Sequence, residues 1–104
     1  MRLTLNALLR REEHVLPDGH RLVRLDVLGK DYPISEANRN VFLVDQAGSE
    51  IWRIASHECA QGADPFIGID MSPAGQATGL TWDGWRFEIN ISDGSVRKIG
   101  WTKS

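Results

Sequence analysis

The sequence predicts an all-β domain: an antiparallel meander of about seven to eight short strands that forms a small sandwich or a partly open barrel, with at most one or two helical turns. Apolar residues alternate with polar ones far more often than they recur every three or four positions. Turn sequences containing Gly or Asp-Gly recur about every ten residues, a spacing typical of all-β folds. A length of 104 residues suits one core, so we expect a single β domain over residues 1–104.

The first quarter of the chain predicts two strands. Alternation across residues 3–7 indicates an opening strand, and residues 8–13 after it fit either a loop or one helical turn. Turn-forming residues at positions 17–19 precede a second alternating run, residues 23–27, whose apolar members share one face. We therefore expect the sheet to begin with residues 3–7.

The middle of the chain predicts an irregular crossover followed by a hairpin. Residues 30–39 contain turn-forming residues, and Ser35 is placed to cap a short helical turn. The β-rich runs 41–44 and 51–54 are joined by a short polar connection in which Gly48 can adopt the positive φ that closes a hairpin. These two runs are therefore predicted to pair.

The C-terminal half predicts the remaining strands. Residues 66–69 alternate, and the proline before them, Pro65, indicates an edge strand or the start of a strand. Residues 85–91 show the most regular alternation in the chain, and an Asp-Gly turn leads from them to a last strand over residues 96–101. The chain after residue 40 thus fits a meander.

Composition and charge predict an ordered protein without a polyanionic partner. Hydrophobic residues make up 41% of the chain and charged residues 25%, as in ordinary globular domains. The 12 basic and 14 acidic side chains are mixed along the chain and give a net charge of −2. This balance disfavours nucleic acid and anionic membranes as partners.

Cysteine use and the N-terminal residues bear on the compartment. Cys59 is the only cysteine in the sequence, so an internal disulfide is impossible and the cytoplasm is the expected location. The apolar run in residues 3–9 is short, interrupted by polar residues and followed by charged ones. We expect it to be neither a signal peptide nor a membrane span.

Two segments have a recognisable form. Residues 40–54 hold a hydrophobic run that ends in Asp45, turns at Gly48 and returns through Trp52. Residues 81–103 hold a Thr-Trp-Asp-Gly-Trp run, a strand, an Asp-Gly turn and a final strand that contains a tryptophan. Together these segments resemble a group of small uncharacterised bacterial β-domain proteins of unknown function. The resemblance implies a compact β domain and no particular activity.

Each segment is also similar to one strand pair of a quinoprotein-type propeller blade. Ile89 lies 45 positions after Val44, and Gly94 lies 46 positions after Gly48, close to the repeat length of some propellers. A closed propeller needs at least about four blades, more than this chain can supply, and independent hairpins would produce the same pattern. Quinone binding does not follow from one hairpin, and we expect no cofactor.

The tryptophans are the best candidates for a binding surface because each carries a large apolar ring and one hydrogen-bond donor. The chain has four of them, Trp52, Trp82, Trp85 and Trp101. If Asp83 and the glycine after it form a two-residue turn, the rings of Trp82 and Trp85 face each other across a hairpin end. The predicted ligand-binding residues are Trp82, Asp83, Trp85 and Trp52; the alternative is that the rings pack in the core or against cross-strand neighbours.

His57, Glu58 and Cys59 form the one cluster of possible metal ligands, or of a nucleophile with its base, and Asp64 follows closely. Adjacent residues on an extended segment point to opposite faces, and a structural zinc site normally has four spaced ligands. A single cysteine is more often a small buried hydrophobe than a catalyst. We therefore predict no metal site and no catalytic residue, and leave open whether these four residues form any site.

The function predicted by elimination is that of a non-enzymatic protein-interaction domain, such as an accessory, regulatory or immunity-type protein, whose partner is another protein. An open meander leaves unpaired strand edges, so a homodimer through sheet edges is also possible. The alternative function is a small-ligand or carbohydrate-binding module that uses exposed tryptophans. The order of strands and the identity of the ligand or partner stay open.

Overall fold

The computed structural model describes residues 2–57 and 62–101, and these contain eight strands and one short helix. In chain order they are β1 (Arg11–Val15), β2 (Arg21–Leu25), α1 (Ile34–Ala37), β3 (Val41–Val44), β4 (Glu50–Arg53), β5 (Phe66–Met71), β6 (Ala77–Thr81), β7 (Trp85–Ile89) and β8 (Val96–Trp101). Among the described residues, no helix has the length and apolar character needed to cross a bilayer. The predicted all-β class is confirmed.

The strands form two antiparallel meanders of four strands each. Sheet 1 has the order β1-β2-β3-β4, and sheet 2 has the order β5-β6-β7-β8, so every strand pairs with its neighbour in the chain. The connections within sheet 2 are short turns, whereas β2 and β3 are joined by the long segment 26–40 that contains α1. The result is a pair of open sheets, the sandwich alternative of the prediction.

The two sheets share one hydrophobic core. Its buried members are Leu16, Leu22, Val41, Leu43, Trp52 and Ile54 from the first half of the chain and Phe66, Ile69, Ala77, Phe87 and Ile89 from the second. Successive side chains of a strand point to opposite faces, so only every second residue faces this core. The β2–β3 register, for example, places Leu22 opposite Leu43 on one face and Val23 opposite Phe42 on the other. Burying this apolar surface is the main force that holds the sheets together.

The outer face of sheet 1 is covered by a second, smaller cluster. Val23, Leu25, Phe42 and Val44 on that face are buried with Leu3, Val27 and Ala37, and Leu5, Ala7, Leu9 and Tyr32 pack against them. We call residues 2–9 the covering segment. Because both faces of sheet 1 are buried, β3 reads as a continuous apolar run with all four residues buried.

The predicted opening strand is wrong. Residues 3–7 belong to the covering segment, where the Ala7 N–H donates to the Thr4 carbonyl at 3.0 Å in a turn, and the first strand begins only at Arg11. Residues 8–13, predicted as a loop or helical turn, therefore contain the start of β1. The alternation near the N-terminus has another cause: a segment lying on an apolar face buries every second side chain without pairing as a strand.

Other local predictions are confirmed. The runs 41–44 and 51–54 pair as the β3–β4 hairpin, and Gly48 has a φ of +86° in its turn. Pro65 immediately precedes β5, which is an edge strand of sheet 2. A helical turn exists at α1, although its N-cap is Pro33 with no side-chain hydrogen bond, so Ser35 does not cap it.

The offset of about 45 residues relates equivalent parts of the two sheets. Asp45 follows β3 and Asn90 follows β7, and the side-chain oxygen of each accepts a hydrogen bond from a backbone N–H two residues later. The offset does not extend to the first two strands of each sheet, because the connection 26–40 in sheet 1 corresponds to only residues 82–84 in sheet 2. Similarity to propeller blades stays a hypothesis.

Candidate functional site

Three of the four tryptophans lie at one end of sheet 2. Trp85 begins β7 and Trp101 ends β8, and the register places them opposite each other, with ring centroids 5.9 Å apart and planes tilted by 35°. The Trp101 indole N–H donates to the Asp83 carbonyl at 2.7 Å, which fixes the ring against the β6–β7 turn. Trp82, in that turn, is 60% exposed, and Trp101 is 55% exposed.

The β6–β7 turn determines which rings meet. It contains three residues, 82–84, rather than the two of the prediction. The Gly84 N–H donates to the Thr81 carbonyl at 3.0 Å, and Gly84 has a φ of +95°, which favours glycine at this position. Because the extra residue is Trp82 itself, this ring lies in the turn and is not opposite Trp85. The ring that contacts Trp85 is that of Trp101.

Lys98 and Ile99 extend the aromatic surface along β8. The Lys98 ammonium lies 4.0 Å from the centroid of the Trp85 ring, a cation–π contact. The β7–β8 register pairs Phe87 with Lys98 and Arg86 with Gly100, so Ile99 is the extra residue of a bulge, and it is 48% exposed. We call the set Trp82, Trp85, Lys98, Ile99 and Trp101 the aromatic edge.

The two edges of sheet 2 differ. On β5, the Ile69 N–H donates to the Glu12 carboxylate at 3.2 Å, and the Asn40 amide bonds both the N–H of Phe66, at 3.0 Å, and its carbonyl, at 2.9 Å. Glu12 of β1 and Asn40, which directly precedes β3, thus replace a neighbouring strand on β5. On β8, the last strand of the sheet, no strand or side chain of the described ranges 2–57 and 62–101 takes that place.

The charge on β7 and β8 is opposite to that of the whole chain. These two strands carry three basic residues, Arg86, Arg97 and Lys98, and one acidic residue, Glu88. Arg97 forms an ion pair with Glu88 and keeps 75% of its side chain exposed. The local excess of two positive charges contrasts with the overall net charge of −2.

A buried polar network lies beneath the turn of the aromatic edge. Asp64 is 1% exposed, and its Oδ1 accepts a hydrogen bond from the Asp83 N–H at 2.6 Å, while its own N–H donates to the Asn38 side chain at 2.7 Å. His57 is 6% exposed, and its Nε2–H donates to the Asp64 carbonyl at 3.0 Å. The network therefore connects the turn to the α1 region of sheet 1.

The His57 ring completes an aromatic cluster inside the sandwich. Its centroid lies 5.4 Å from that of Phe66 and 5.0 Å from that of Phe87. Two buried atoms of this network, His57 Nδ1 and Asp64 Oδ2, have no hydrogen-bond partner within the described parts of the chain. The burial of both residues was not predicted, because the polar stretch around them gives no alternation that would mark a core face.

The cluster considered as a metal site or nucleophile is only partly visible. Glu58 and Cys59 lie outside the described residues. His57 and Asp64 come together, as the network shows. In the described ranges, no group of three or more His, Cys, Asp or Glu side chains is arranged to hold a metal ion.

Of the four predicted ligand-binding residues, three are brought together and one is not. Trp82 and Asp83 lie in the β6–β7 turn and Trp85 begins β7 directly after it. Trp52, in contrast, is 8% exposed in the core between the sheets. Its indole N–H donates to the Ile91 carbonyl at 2.7 Å, in the β7–β8 connection at the other end of β7. Trp52 thus joins the two sheets and lies outside the aromatic edge.

A polar cleft lies at the opposite end of sheet 2 from the aromatic edge. It has a volume of about 480 Å³ and lies between the β5–β6 and β7–β8 turns. Gln76, Asn90, Ser92, Ser95 and Arg97 are among its lining residues. None of the residues predicted from the sequence as ligand-binding contributes to it.

Comparison with known proteins places the whole two-sheet unit in one family. Residues 11–101 match the family described as a domain of unknown function, DUF7957. The chain belongs to this family. The match confirms the resemblance to an uncharacterised domain and runs from the first residue of β1 to the last residue of β8. No curated protein and no solved structure matches the chain significantly.

Proposed function

We propose that this DUF7957 chain is a non-enzymatic protein-interaction domain of the accessory, regulatory or immunity type, and that it binds its partner protein through the aromatic edge in the cytoplasm. The observation that carries the proposal is the exposure of Trp82 and Trp101, 60% and 55%, beside β8, which has a neighbouring strand on only one side among the described residues. Tryptophan and arginine dominate the energetics of protein interfaces, and contiguous exposed apolar surface commonly marks such sites.

Three members of the aromatic edge, Trp85, Lys98 and Trp101, are organised before any partner binds. Trp101 is held by its hydrogen bond to the Asp83 carbonyl and by its contact with Trp85, and Lys98 lies over the Trp85 ring. Side chains that are already ordered lose little conformational entropy on association. For an exposed but ordered tryptophan, most of the free energy gained by burying the ring can therefore contribute to binding affinity.

The non-enzymatic part of the proposal is supported by the burial of His57 and Asp64, the two members of the candidate cluster that the structure describes. His57 and Asp64 are 6% and 1% exposed, so a substrate in solution does not reach them in this conformation. Their hydrogen bonds hold the β6–β7 turn in place. Both residues thus have a structural role that explains their burial.

Site-specific photo-crosslinking in the native host tests the proposal. The full chain would carry benzoylphenylalanine in place of Ile99, and the matched control would carry it in place of Ala74, an exposed residue in the β5–β6 turn. We expect a discrete protein adduct from position 99 that is absent at position 74 and decreases in the Trp101→Ala background. Equal adducts at both positions, or none at position 99, would contradict the proposal.

A second candidate is a carbohydrate- or small-ligand-binding module, favoured by the open ring of Trp82. Lys98 covers the Trp85 ring, so stacking by a sugar would depend on Trp82 and Trp101. This function predicts a shift of tryptophan emission when an oligosaccharide is added. The shift should be absent in the Trp82→Ala variant. Unchanged emission across a broad glycan panel would remove this candidate.

A further inference from the structure

We propose that the partner presents an extended acidic segment, which adds to sheet 2 as a fifth strand beside β8. This inference rests on the proposed protein-binding function and names the chemistry of the partner. Strand addition uses main-chain hydrogen bonds for affinity and side-chain contacts for specificity. β8 is long enough for this mode, with six residues from Val96 to Trp101.

The contrast between the two edges of sheet 2 supports strand addition. Glu12 and Asn40 satisfy backbone groups of β5, so that edge is already occupied. The corresponding side of β8 has no such neighbour in the described chain, although the strand carries two large exposed apolar side chains, Ile99 and Trp101. An unpaired edge of this kind is a template for another strand.

Charge decides what kind of strand fits. β8 contains Arg97 and Lys98 and no acidic residue, so a second copy of β8 would bring the same two positive charges to the same edge. An acidic segment brings the complementary charge and also finds Arg86 nearby on β7. The bulge at Ile99 and the basic side chains discourage indiscriminate pairing, which makes the edge selective.

The two faces of sheet 2 at β8 favour different side chains on an added strand. Arg97 pairs with Glu88 on the outer face, whereas Lys98 and Trp101 lie on the same face as Trp85. Successive side chains of an added strand alternate between these faces. The matching segment therefore alternates acidic residues, toward Arg97, with aliphatic residues, toward the tryptophan rings.

A defined peptide tests the inference on the full chain. The probe is the blocked hexapeptide Asp-Val-Glu-Val-Asp-Val, titrated by calorimetry and tryptophan fluorescence, and its matched control has lysine at the three acidic positions. We expect the acidic peptide to bind at least about tenfold more tightly, with the difference reduced by high salt. The R86E/R97E double variant reverses the charge on the outer face, where the register places both residues. Checked for an unchanged melting temperature, it should reverse the preference.

Main-chain pairing is tested separately. N-methylation of the peptide at either its odd or its even residues removes the N–H groups of one edge, so one of the two methylated peptides should lose binding and the other should keep it. If neither the acidic nor the basic peptide binds, or if both methylated forms bind as the parent does, the inference is wrong. The crosslink from position 99 would still report the proposed function.

Self-pairing is the competing outcome. If two copies of the chain pair through β8, light scattering would show a dimer of the wild-type chain, and Ile99→Asp would convert that dimer into a monomer. That result would overturn the acidic-segment inference, because the free edge would then already be occupied by a second copy. A monomer that binds the acidic peptide in the predicted register supports it.

Discussion

Gly79 shows how closely the core of sheet 2 is packed. A Cβ atom at this position would lie 2.6 Å from ring atoms of Phe66 and 3.4 Å from a methyl group of Ile89. Both neighbours are buried, so neither can move aside without disturbing others. We expect Gly79→Ala to lower the free energy of unfolding by about 1–3 kcal/mol, measured by urea denaturation.

Gly68 is the matched control for this substitution. It lies in the same sheet, on β5, and a Cβ atom there would meet nothing within 4 Å. Gly68→Ala should therefore leave stability unchanged or raise it slightly, because alanine loses less backbone entropy than glycine on folding. Equal losses for the two variants would show that strand propensity, and not the Phe66 ring, explains the glycine.

Asp64 supports the turn of the aromatic edge through one hydrogen bond. Asp64→Ala leaves the Asp83 N–H without its acceptor, so we expect a loss of about 1–3 kcal/mol in the free energy of unfolding. Asp64→Asn keeps the Oδ1 acceptor and should lose less. Chemical denaturation of both variants measures the difference, and a loss in Asp64→Asn as large as in Asp64→Ala would contradict this role.

At the scale of single residues, the sequence identified candidate residues but did not predict which other side chains they contact. Trp82, Asp83 and Trp85 lie close together because they are neighbours in the chain, but the predicted facing of Trp82 and Trp85 is wrong. The contact between Trp85 and Trp101 depends on the β7–β8 register and on the bulge, neither of which has a local signal. Local sequence patterns therefore did not predict contacts between residues that are distant in the chain.

Among the elements, the covering segment depends on Glu36 in α1. The Glu36 carboxylate accepts hydrogen bonds from the Leu3 N–H at 2.8 Å and from Arg53 at 3.1 Å. These bonds, the one from Leu3 first, hold the pKa of Glu36 below its usual value. A lowered carboxyl pKa means that the stabilisation is present above the usual carboxyl range and is lost as the pH falls through the folded-state pKa.

Glu36→Gln should loosen the covering segment without unfolding the sheets. We expect faster amide exchange at Leu3 at neutral pH, because a neutral amide accepts more weakly than a carboxylate. The difference from wild type should vanish as the pH falls below the carboxyl range. Hydrogen exchange resolved by NMR measures both effects, and a difference that persists at low pH would contradict the role of the charge.

Elements with local turn chemistry were predicted well. The β3–β4 hairpin has Gly48 and an Asp45 side chain that accepts backbone hydrogen bonds within the turn, so its signal is contained in a few residues. The covering segment shows the same alternation as a strand, and only the position of sheet 1 distinguishes the two. The opening strand was wrongly predicted because alternation was taken as evidence of strand pairing, whereas here it reflects a segment packed on an apolar face.

At the scale of the whole molecule, Glu12 bridges the two sheets. Its Oε1 accepts from Arg24 at 2.8 Å within sheet 1 and from the Ile69 N–H at 3.2 Å in sheet 2. Burial raises the pKa of this carboxyl. Hydrogen bonds from the side chains of Arg24 and His14 and from the Ile69 N–H outweigh burial and hold the pKa below its usual value.

Glu12→Gln should weaken the contact between the sheets by about 1–2 kcal/mol at neutral pH, measured as the free energy of unfolding. Because the pKa is lowered in the folded state, the wild-type advantage should be complete above the usual carboxyl range and disappear as the pH falls through the folded-state pKa. Glu13→Gln is the control, since Glu13 pairs with Arg21 at the surface and contributes little. Equal effects would contradict the bridge.

The arrangement of the sheets could be predicted only in part. Alternation and turn spacing predicted about seven to eight strands in a small sandwich or a partly open barrel, and the structure has eight strands in two open sheets. Sheet 1 ends with β4 and sheet 2 begins with β5, and neither alternation nor turn spacing predicted this division. Asn40, which bonds Phe66 across that division, is a polar residue whose buried role has no pattern in the sequence.

The covering segment lies outside the family boundary, which begins at residue 11. A recombinant fragment cut at that boundary would keep all eight strands and lose Leu3, Leu5, Ala7 and Leu9 from the outer face of sheet 1. It would expose Phe42 and Val44 to solvent and should precipitate or bind hydrophobic dyes. Expression trials of this chain should therefore keep residues 2–9 before poor solubility is attributed to the two sheets.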